Sequence, residues 1–537
     1  MTPDDNSPFG EDTGVSAATR AKAIPNKLEM KHGHTPREMT RASLDALDGH
    51  GDPGKFGRMF PSLPPLEVAD DPLFELAEAM LDPGPALPAG DALNLPAGFT
   101  YLGQFVDHDI TLDLTPLDDQ KADPLGIENF RSPALDLDAL YGPGPQLAPY
   151  MYARDPVSHA MTGKLLVGRA AASPDFANGS TVPELPNDLP RSNEGRAVIG
   201  DERNDENLLV AQTHLSFLKF HNKIIDMLTA RPAPLSGAAL FEEARRIATW
   251  HYQWIVLFDF VERMTEDGLV RRIKHEGRKF YRFRTRPYIP VEFSAAAYRL
   301  GHSMVRERYD HNRIFGFGIS SLATLFHFTG KSGGIVGQLA TDEIGGPGQP
   351  MQKLPSNWAI DWRRFYEVVT PQPAGVTLNR ARSLDPCIVP ALHTLPGESG
   401  RNLVLPFRNL ARGVRLGLPS GQNVAYAMGI QPLTGDELAT DVGGGSDGTV
   451  LKAQGLHTAT PLWYYILKEA QLMHQGQRLG PVGSTIIAEV FLGLVHGDHK
   501  SFLWQRSNWT PELPGATPGD FTMADMLNFT GDLNPIG

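Results

Sequence analysis

Cysteine is almost missing from this chain: Cys387 is the only one in 537 residues. A single thiol forms no intrachain disulfide and no Cys-rich zinc or iron–sulfur site. Basic runs are missing too. Lys and Arg number 49 against 62 Asp and Glu, a formal charge of -13, which argues against nucleic acid or an anionic membrane surface as partner, since both need clustered cations. No apolar stretch approaches the length a transmembrane helix requires, so no membrane anchor is expected. The opening MTPDDNSPFGEDTG is acidic and lacks the apolar core of a signal peptide. A cytoplasmic location is the default expectation, with non-classical export leaving no trace to read. No repeat period is present. What remains, 41% hydrophobic, suits an ordinary globular protein of two or three average domains or one large one.

Residues 1–60 are polar and rich in Gly, Pro and charge, and read as an extended N-terminal arm; 61–537 read as one large domain. Loop signals recur at 83–98, 173–192, 345–355 and 441–448, all punctuated by Gly and Pro. Between them the pattern is helical. In 205–228, Leu208, Ala211, Leu215, Leu218, Ile225 and Leu228 recur at three- and four-residue steps, with Asp205 and Glu206 at the start, where carboxylates suit the helix dipole. Segments 241–264 and 483–495 read likewise, and GRKFYRFR (277–284) is one of few alternating, strand-like runs. The fold class is mainly α, with few short strands.

Four clusters carry chemistry-bearing side chains. In YLGQFVDHDITL (101–112), Gln104, Asp107 and His108 share one helical face, while Asp109 points roughly 100° further round. Alone, that face fits a solvated helix edge as well as a site. In SPALDLDALYG (132–142), Ser132, Asp136 and Asp138 alternate with apolar residues. Such hard oxygen ligands suit Ca²⁺, with Asp109 as one more, although the glycine and terminal glutamate of an EF-hand are missing; a bare turn with two solvated aspartates is the plainer alternative. In IGDERNDENLL (199–209), Arg203 and Glu206 are three apart at a helix entrance, and a fixed cation there suits developing negative charge; a surface ion pair is the plainer alternative. In SAAAYRLGHSMVRE (294–307), His302 follows Gly301 among small residues that would admit a flat ligand, and its imidazole could bind a metal; a structural histidine is the plainer alternative.

These motifs, with RNLARGVRLGLP and the closing GLVHGDHKSFL, resemble in order the animal-type haem peroxidases of the peroxidase-cyclooxygenase superfamily, in a form without propeptide or disulfides that looks bacterial in style. The resemblance runs from about residue 90 to 505 and implies a single large helical haem peroxidase domain. His108 resembles the distal histidine that takes a proton from hydrogen peroxide and returns it to the leaving oxygen. Gln104 is similar to the amide that holds distal water, and Arg203 to the distal arginine. His302 matches the proximal iron ligand, Asn409 the asparagine that accepts its other N–H, and Arg299 the residue that pairs with a haem propionate. Asp107 and Glu206 match the carboxylates that form ester bonds to haem methyl groups; Asn207 stands where some members carry a methionine sulfonium link, which puts halide oxidation in doubt. Asp109, Ser132, the Ala134 carbonyl, Asp136 and Asp138 match the calcium ligands.

The resemblance implies haem b, Ca²⁺, hydrogen peroxide and a small phenolic, aromatic or anionic reductant, an oxoferryl intermediate, and a role in the response to oxidative stress. Two rivals stand beside it. One is a fatty-acid dioxygenase of the same superfamily, whose tyrosine lies three residues before the proximal histidine; here Arg299 holds that position and Tyr298 the one before. The other is a non-catalytic haem- and calcium-binding adhesion protein, which would have no need of His108, Arg203 and Gln104 together. His214 and His221 read as core residues, and His32 and His34 as part of the arm. The electron donor and the oligomeric state are not written in the sequence.

Overall fold

The computed structural model describes residues 54–85, 90–113, 128–193, 195–316, 320–326, 329, 353–395 and 398–537. His32, His34 and the Gly/Pro stretch up to residue 352 lie outside them. Among the described residues, the helices of eight residues or more are α1 (Asp70–Ala79), α2 (Gly98–Ile110), α3 (Leu208–Thr229), α4 (Gly237–Ile255), α5 (Leu269–Glu276), α6 (Leu405–Arg415), α7 (Gly421–Met428), α8 (Leu462–His474), α9 (Pro481–Gly497) and α10 (Met523–Thr530). The class is mainly α, as the apolar periodicity predicts.

The central contact is α2 against α3. Phe105 and Phe217 stack with ring centroids 4.9 Å apart, and Tyr252 of α4 meets both rings edge-on. All three side chains are buried. An offset or edge-on arrangement of aromatic rings adds roughly 0.5–1.5 kcal/mol per pair beyond burial of the area. The start of α2 lies so close to its neighbours that a Cβ on Gly98 would sit 2.3 Å from the Tyr366 ring and 2.6 Å from the Phe365 carbonyl. Only glycine allows that approach. The 101–112 motif is thus fixed at both ends of its helix: by close backbone packing at Gly98 and by Thr111, whose hydroxyl donates to the Asp107 carbonyl at 3.0 Å.

Two helices differ from the expected bounds for local reasons. Asp205 and Glu206 do not begin α3. Residues Glu202–Asp205 form a 3₁₀ turn, and Asn207 caps α3 by accepting from the Val210 N–H at 3.0 Å. Asparagine competes well for that role because its oxygen satisfies an otherwise free amide. The segment 241–264 is not one regular helix either. After Ile255 it widens into a π-helical turn, Val256–Val261, a distortion found often at functional sites. Phe260 on this turn reaches the cavity described below.

Strands are short and paired in twos. Asp91–Pro96 pairs antiparallel with Arg380–Arg382, and Phe56–Gly57 pairs parallel with Ile289–Pro290. Segments that the Gly/Pro signals mark as loops hold strands at 91–96, 173–175, 180–182 and 185–188. The strand expected at 277–284 does not form. The Glu489 carboxylate of α9 accepts from the backbone N–H groups of Lys279, Phe280 and Tyr281, each at 2.7 Å. Donors engaged by one carboxylate are not free for a ladder. Residues 54–60, placed in the arm by composition, lie against the domain. Phe56, Met59 and Phe60 are buried, and the buried Glu292 accepts from the backbone of Met59 and Phe60.

Candidate active site

A cavity of about 450 Å³ brings together parts of three of the sequence clusters. Gln104, Asp107 and His108 of α2, Arg203 and Glu206 of the 199–209 segment, and Arg299, Gly301 and His302 all line it, with apolar walls from Phe56, Phe260, Phe326, Leu392 and Leu405. A Cβ built on Gly301 meets nothing within 4 Å, so this glycine faces open space where a flat group could lie.

On the α2 side the side chains are held by one another. His108 is buried, with Nδ1 2.8 Å from Asn204 Oδ1, and its Nε2 lies 3.6 Å from Glu206 Oε1. Gln104, expected to hold water, is engaged at both ends: its amide donates to Glu206 Oε1, and its oxygen accepts from Asn207 Nδ2 at 2.9 Å. It ties together Glu206 and Asn207, three and four residues after Arg203. Asp107 is likewise engaged, accepting from the Thr111 hydroxyl at 2.9 Å.

Arg203 is anchored by its neighbours. Its guanidinium donates to Asp201 through Nε at 3.1 Å and Nη2 at 2.7 Å, and Nη2 also reaches the His108 carbonyl at 2.9 Å. Asp201 serves a second cation, the fully buried Arg131, at 2.5 Å, and Arg131 in turn donates to Asp138 at 2.8 Å. Burial alone would raise Asp201, but Arg203 and Arg131 outweigh it and hold the carboxyl below its ordinary value. One carboxylate therefore ties Arg203 to the 132–138 loop.

His302 ends a 3₁₀ turn, Ala297–His302, and Asn409 comes from α6. They meet at 2.8 Å, His302 Nδ1 to Asn409 Nδ2, while Asn409 Oδ1 accepts from Arg299 at 3.0 Å. The sequence reading had Asn409 accepting from His302. Arg299 reverses this, because a guanidinium has only donors and takes the amide oxygen, leaving the amide N–H for the ring. His302 is held down to about 3 by desolvation, with Arg299 and Arg408 adding to it; its imidazole is neutral, as a metal ligand must be. Arg299 Nε is buried without a partner, and burial with repulsion from Arg412 lowers its pKa to about 9. A buried donor without a partner calls for an explanation, and an anionic group in the cavity would provide one.

The 132–138 loop adjoins Asp109. The Asp109 carboxylate accepts from the backbone N–H groups of Leu137 and Ala139 and from the Tyr252 hydroxyl, each at 3.2 Å. Leu137 is held at φ +57, a strained conformation for a residue with a Cβ and one that clusters at functional sites. Asp136 accepts from Ser132 Oγ at 3.1 Å and from the Asp138 N–H at 3.2 Å. Burial raises Asp109 to about 7, with the Asp138 charge adding to it, and burial raises Asp138 despite Arg131. Among the described residues, no three His, Cys, Asp or Glu side chains are arranged to hold a metal ion. The expected calcium donors share a region, but Arg131 occupies the Asp138 carboxylate.

Four functional candidates escaped the sequence reading: Asp201, Asn204, His214 and Arg131. Asn204 Nδ2 lies 3.0 Å from His214 Nδ1, so His214 is more than a core residue. No periodicity points to it, since its partner lies ten residues away across a capped turn. Tyr298, next to Arg299, donates its hydroxyl to the Gly103 carbonyl at 2.9 Å.

Comparison with known proteins follows the same lines. The animal haem peroxidase family model matches residues 113–316. A peroxidase-like protein of Margaritifera margaritifera is 30% identical over 133 residues, 24% of this chain and 17% of that protein's length. Among solved structures, peroxidase A from Dictyostelium discoideum superposes with a TM-score of 0.57 at 16% identity, covering 90% of this chain and 94% of that one. A fatty acid alpha-dioxygenase from Oryza sativa gives 0.55 at 14% identity, covering 90% and 80%. Both superpositions report on the fold. No helix among the described residues is long and apolar enough to cross a membrane.

Proposed function

We propose that the chain, which the animal haem peroxidase family model matches over residues 113–316, reduces hydrogen peroxide with electrons from phenolic, aromatic or small anionic donors, using haem b in the cavity between His108 and His302. The observation that carries this reading is one cavity lined by a neutral His302 tied to Asn409 and by His108 beside an anchored Arg203. The unpartnered Arg299 Nε and the open space over Gly301 fit a flat group with an anionic edge.

Haem iron would supply the redox chemistry that no side chain here offers. The chain's own residues do the rest. His302 would hold the iron through Nε2, which requires Asn409 to turn its amide oxygen to Nδ1, because the donation seen here leaves the neutral ring's proton on Nε2. His108 takes the peroxide proton and returns it to the leaving oxygen. Arg203, fixed by Asp201 and the His108 carbonyl, stabilises the charge that develops as the O–O bond breaks. Arg299, whose Nε has no partner, would pair with a propionate. Asp107 and Glu206 are the carboxylates available for ester attachment, which acidified-acetone extraction would test by leaving haem with the protein. Tyr298 is already hydrogen-bonded to Gly103, and Arg299 stands three residues before His302, so peroxidase is favoured over fatty-acid oxygenation.

Calcium belongs to the same proposal. Asp109, Ser132, the Ala134 carbonyl, Asp136 and Asp138 would hold it, and a divalent ion would offset the burial, and then the Asp138 charge, that raise Asp109. It would share Asp138 with Arg131. Elemental analysis of the purified chain tests this: about one Ca²⁺ per chain that EDTA removes supports the site, and none counts against it. The activity is tested by peroxide-dependent oxidation of a phenolic dye. Turnover in wild type that His108→Ala reduces by about 10²-fold or more is expected; equal rates near background would favour a non-catalytic protein.

A further inference from the structure

His108 turns one ring edge to the cavity and the other to a polar pair in the interior. Its Nδ1 lies 2.8 Å from Asn204 Oδ1, and Asn204 Nδ2 lies 3.0 Å from His214 Nδ1. Asn204 and His214 are fully buried, and neither lines the cavity. A carboxamide has one accepting end and one donating end, so it cannot treat two imidazoles alike. With its oxygen toward His108, that ring carries its proton on Nδ1 and keeps a lone pair on Nε2. Turned over, the amide would place the His108 proton on Nε2, and the ring could not take a proton from peroxide there.

The surroundings give this pair its direction. Burial holds His214 down to about 3, so the ring is neutral, and with Asn204 Nδ2 facing it at 3.0 Å its Nδ1 accepts and its proton sits on Nε2. A protonated His214 would donate at Nδ1 and turn the amide over. Its Nε2 has no hydrogen-bond partner and its ring meets Phe105 edge-on at 5.8 Å, which leaves Asn204 as its polar contact. The Glu206 carboxylate, 3.6 Å from His108 Nε2, is too far for a hydrogen bond that would favour the other tautomer.

We infer that Asn204, oriented by His214, is a positioning residue that fixes His108 as the Nδ1–H tautomer. The inference deepens the proposed function, since it rests on His108 acting as the base toward peroxide, but the tautomer itself can be observed without turnover. The Asn204–His214 pair acts only through His108. Neither residue touches the space where peroxide would bind.

The test is ¹⁵N NMR of the full chain labelled at histidine, haem-free or in the diamagnetic ferrous-carbonyl form, with His108 assigned through His108→Gln. Wild type is expected to show Nδ1–H at His108. Asn204→Leu and His214→Leu are expected to mix or reverse the tautomer, and Asn204→Asp to restore it, because a carboxylate only accepts. In the same variants kcat/KM for peroxide falls about 10- to 100-fold with both Leu changes, while KM for the phenolic donor stays constant. Nε2–H at His108 in wild type, or Asn204→Leu with both the tautomer and the peroxide rate unchanged, would overturn the inference. The wild-type spectrum decides the point even if the variants fail to fold. Nδ1–H in a chain without peroxide turnover would support the pair's role and sink the proposed function; Nε2–H in an active peroxidase would do the reverse.

Discussion

Asp201 is the position where a small change should have the widest effect. Its carboxylate accepts from the Arg203 backbone at 2.9 Å and from the Arg203 and Arg131 guanidiniums. The Arg131 side chain is 1% exposed and that of Asp201 3%, whereas that of Arg203 is 24% exposed. Asp201→Asn keeps the shape, removes the charge and leaves one accepting oxygen for two cations. Breaking a buried pair by removing one partner costs about 3–5 kcal/mol. Arg131 retains Asp138 at 2.8 Å and Arg203 is partly solvated, so the lower end, about 3 kcal/mol, is expected. Urea unfolding followed by tryptophan fluorescence would read this as a lower midpoint at unchanged slope. The pH dependence follows from the sign of the shift. Asp201 is depressed in the folded chain, so its contribution is fully present above the unfolded carboxylate value of about 3.9 and is lost as pH falls through the folded one. The gap between wild type and Asp201→Asn should therefore hold constant from about pH 5 to 8 and close only in stronger acid. A loss under about 1 kcal/mol, or a gap that closes between pH 8 and 5, would refute the reasoning.

Three further outcomes follow. Phe105→Ala empties a fully buried site stacked on Phe217, and should lose about 3–5 kcal/mol in thermal unfolding; a loss under about 1 kcal/mol would mean that α2 is not held by that stack. Gly98→Ala forces a methyl against the Tyr366 ring and the Phe365 carbonyl, and should destabilise by about 1–3 kcal/mol, with the helix content read by circular dichroism otherwise preserved. Arg299→Gln removes the cation whose Nε lacks a partner, and should weaken haem binding in an absorbance titration by about tenfold; unchanged affinity would place the propionate elsewhere.

How far the sequence reached depended on whether spacing or topology sets the position. Gln104, Asp107, His108 and Asp109 were readable because a helix turns spacing into direction, and Phe105 and Val106, on the other side, explain why that helix is buried. Asp109 does meet partners apart from the cavity face, the 137 and 139 amides. The partners of these residues were harder to read. Asn204 lies one residue before the segment 205–228 that the periodicity reads as helix, and only the Asn207 cap and the 3₁₀ turn before it aim Asn204 inward. The Asn409 amide orientation was misjudged because Arg299 reaches it from 110 residues away. The 277–284 strand failed for a similar reason, since its alternation says nothing about Glu489 more than 200 residues later. Arg131 precedes the 132–142 motif, and its two carboxylates come from 138 and 201. Local periodicity finds elements and faces; long-range side-chain-to-backbone contacts decide which elements persist and which groups are engaged.

The central claim is that the cavity holds haem through His302. The direct measurement is the absorption spectrum of the purified, haem-supplemented chain beside that of His302→Ala. The account predicts a strong Soret band in wild type that is lost or markedly shifted in the variant, with the His302-free cavity still folded by circular dichroism. No Soret band in wild type, or an identical band in both proteins, would contradict it.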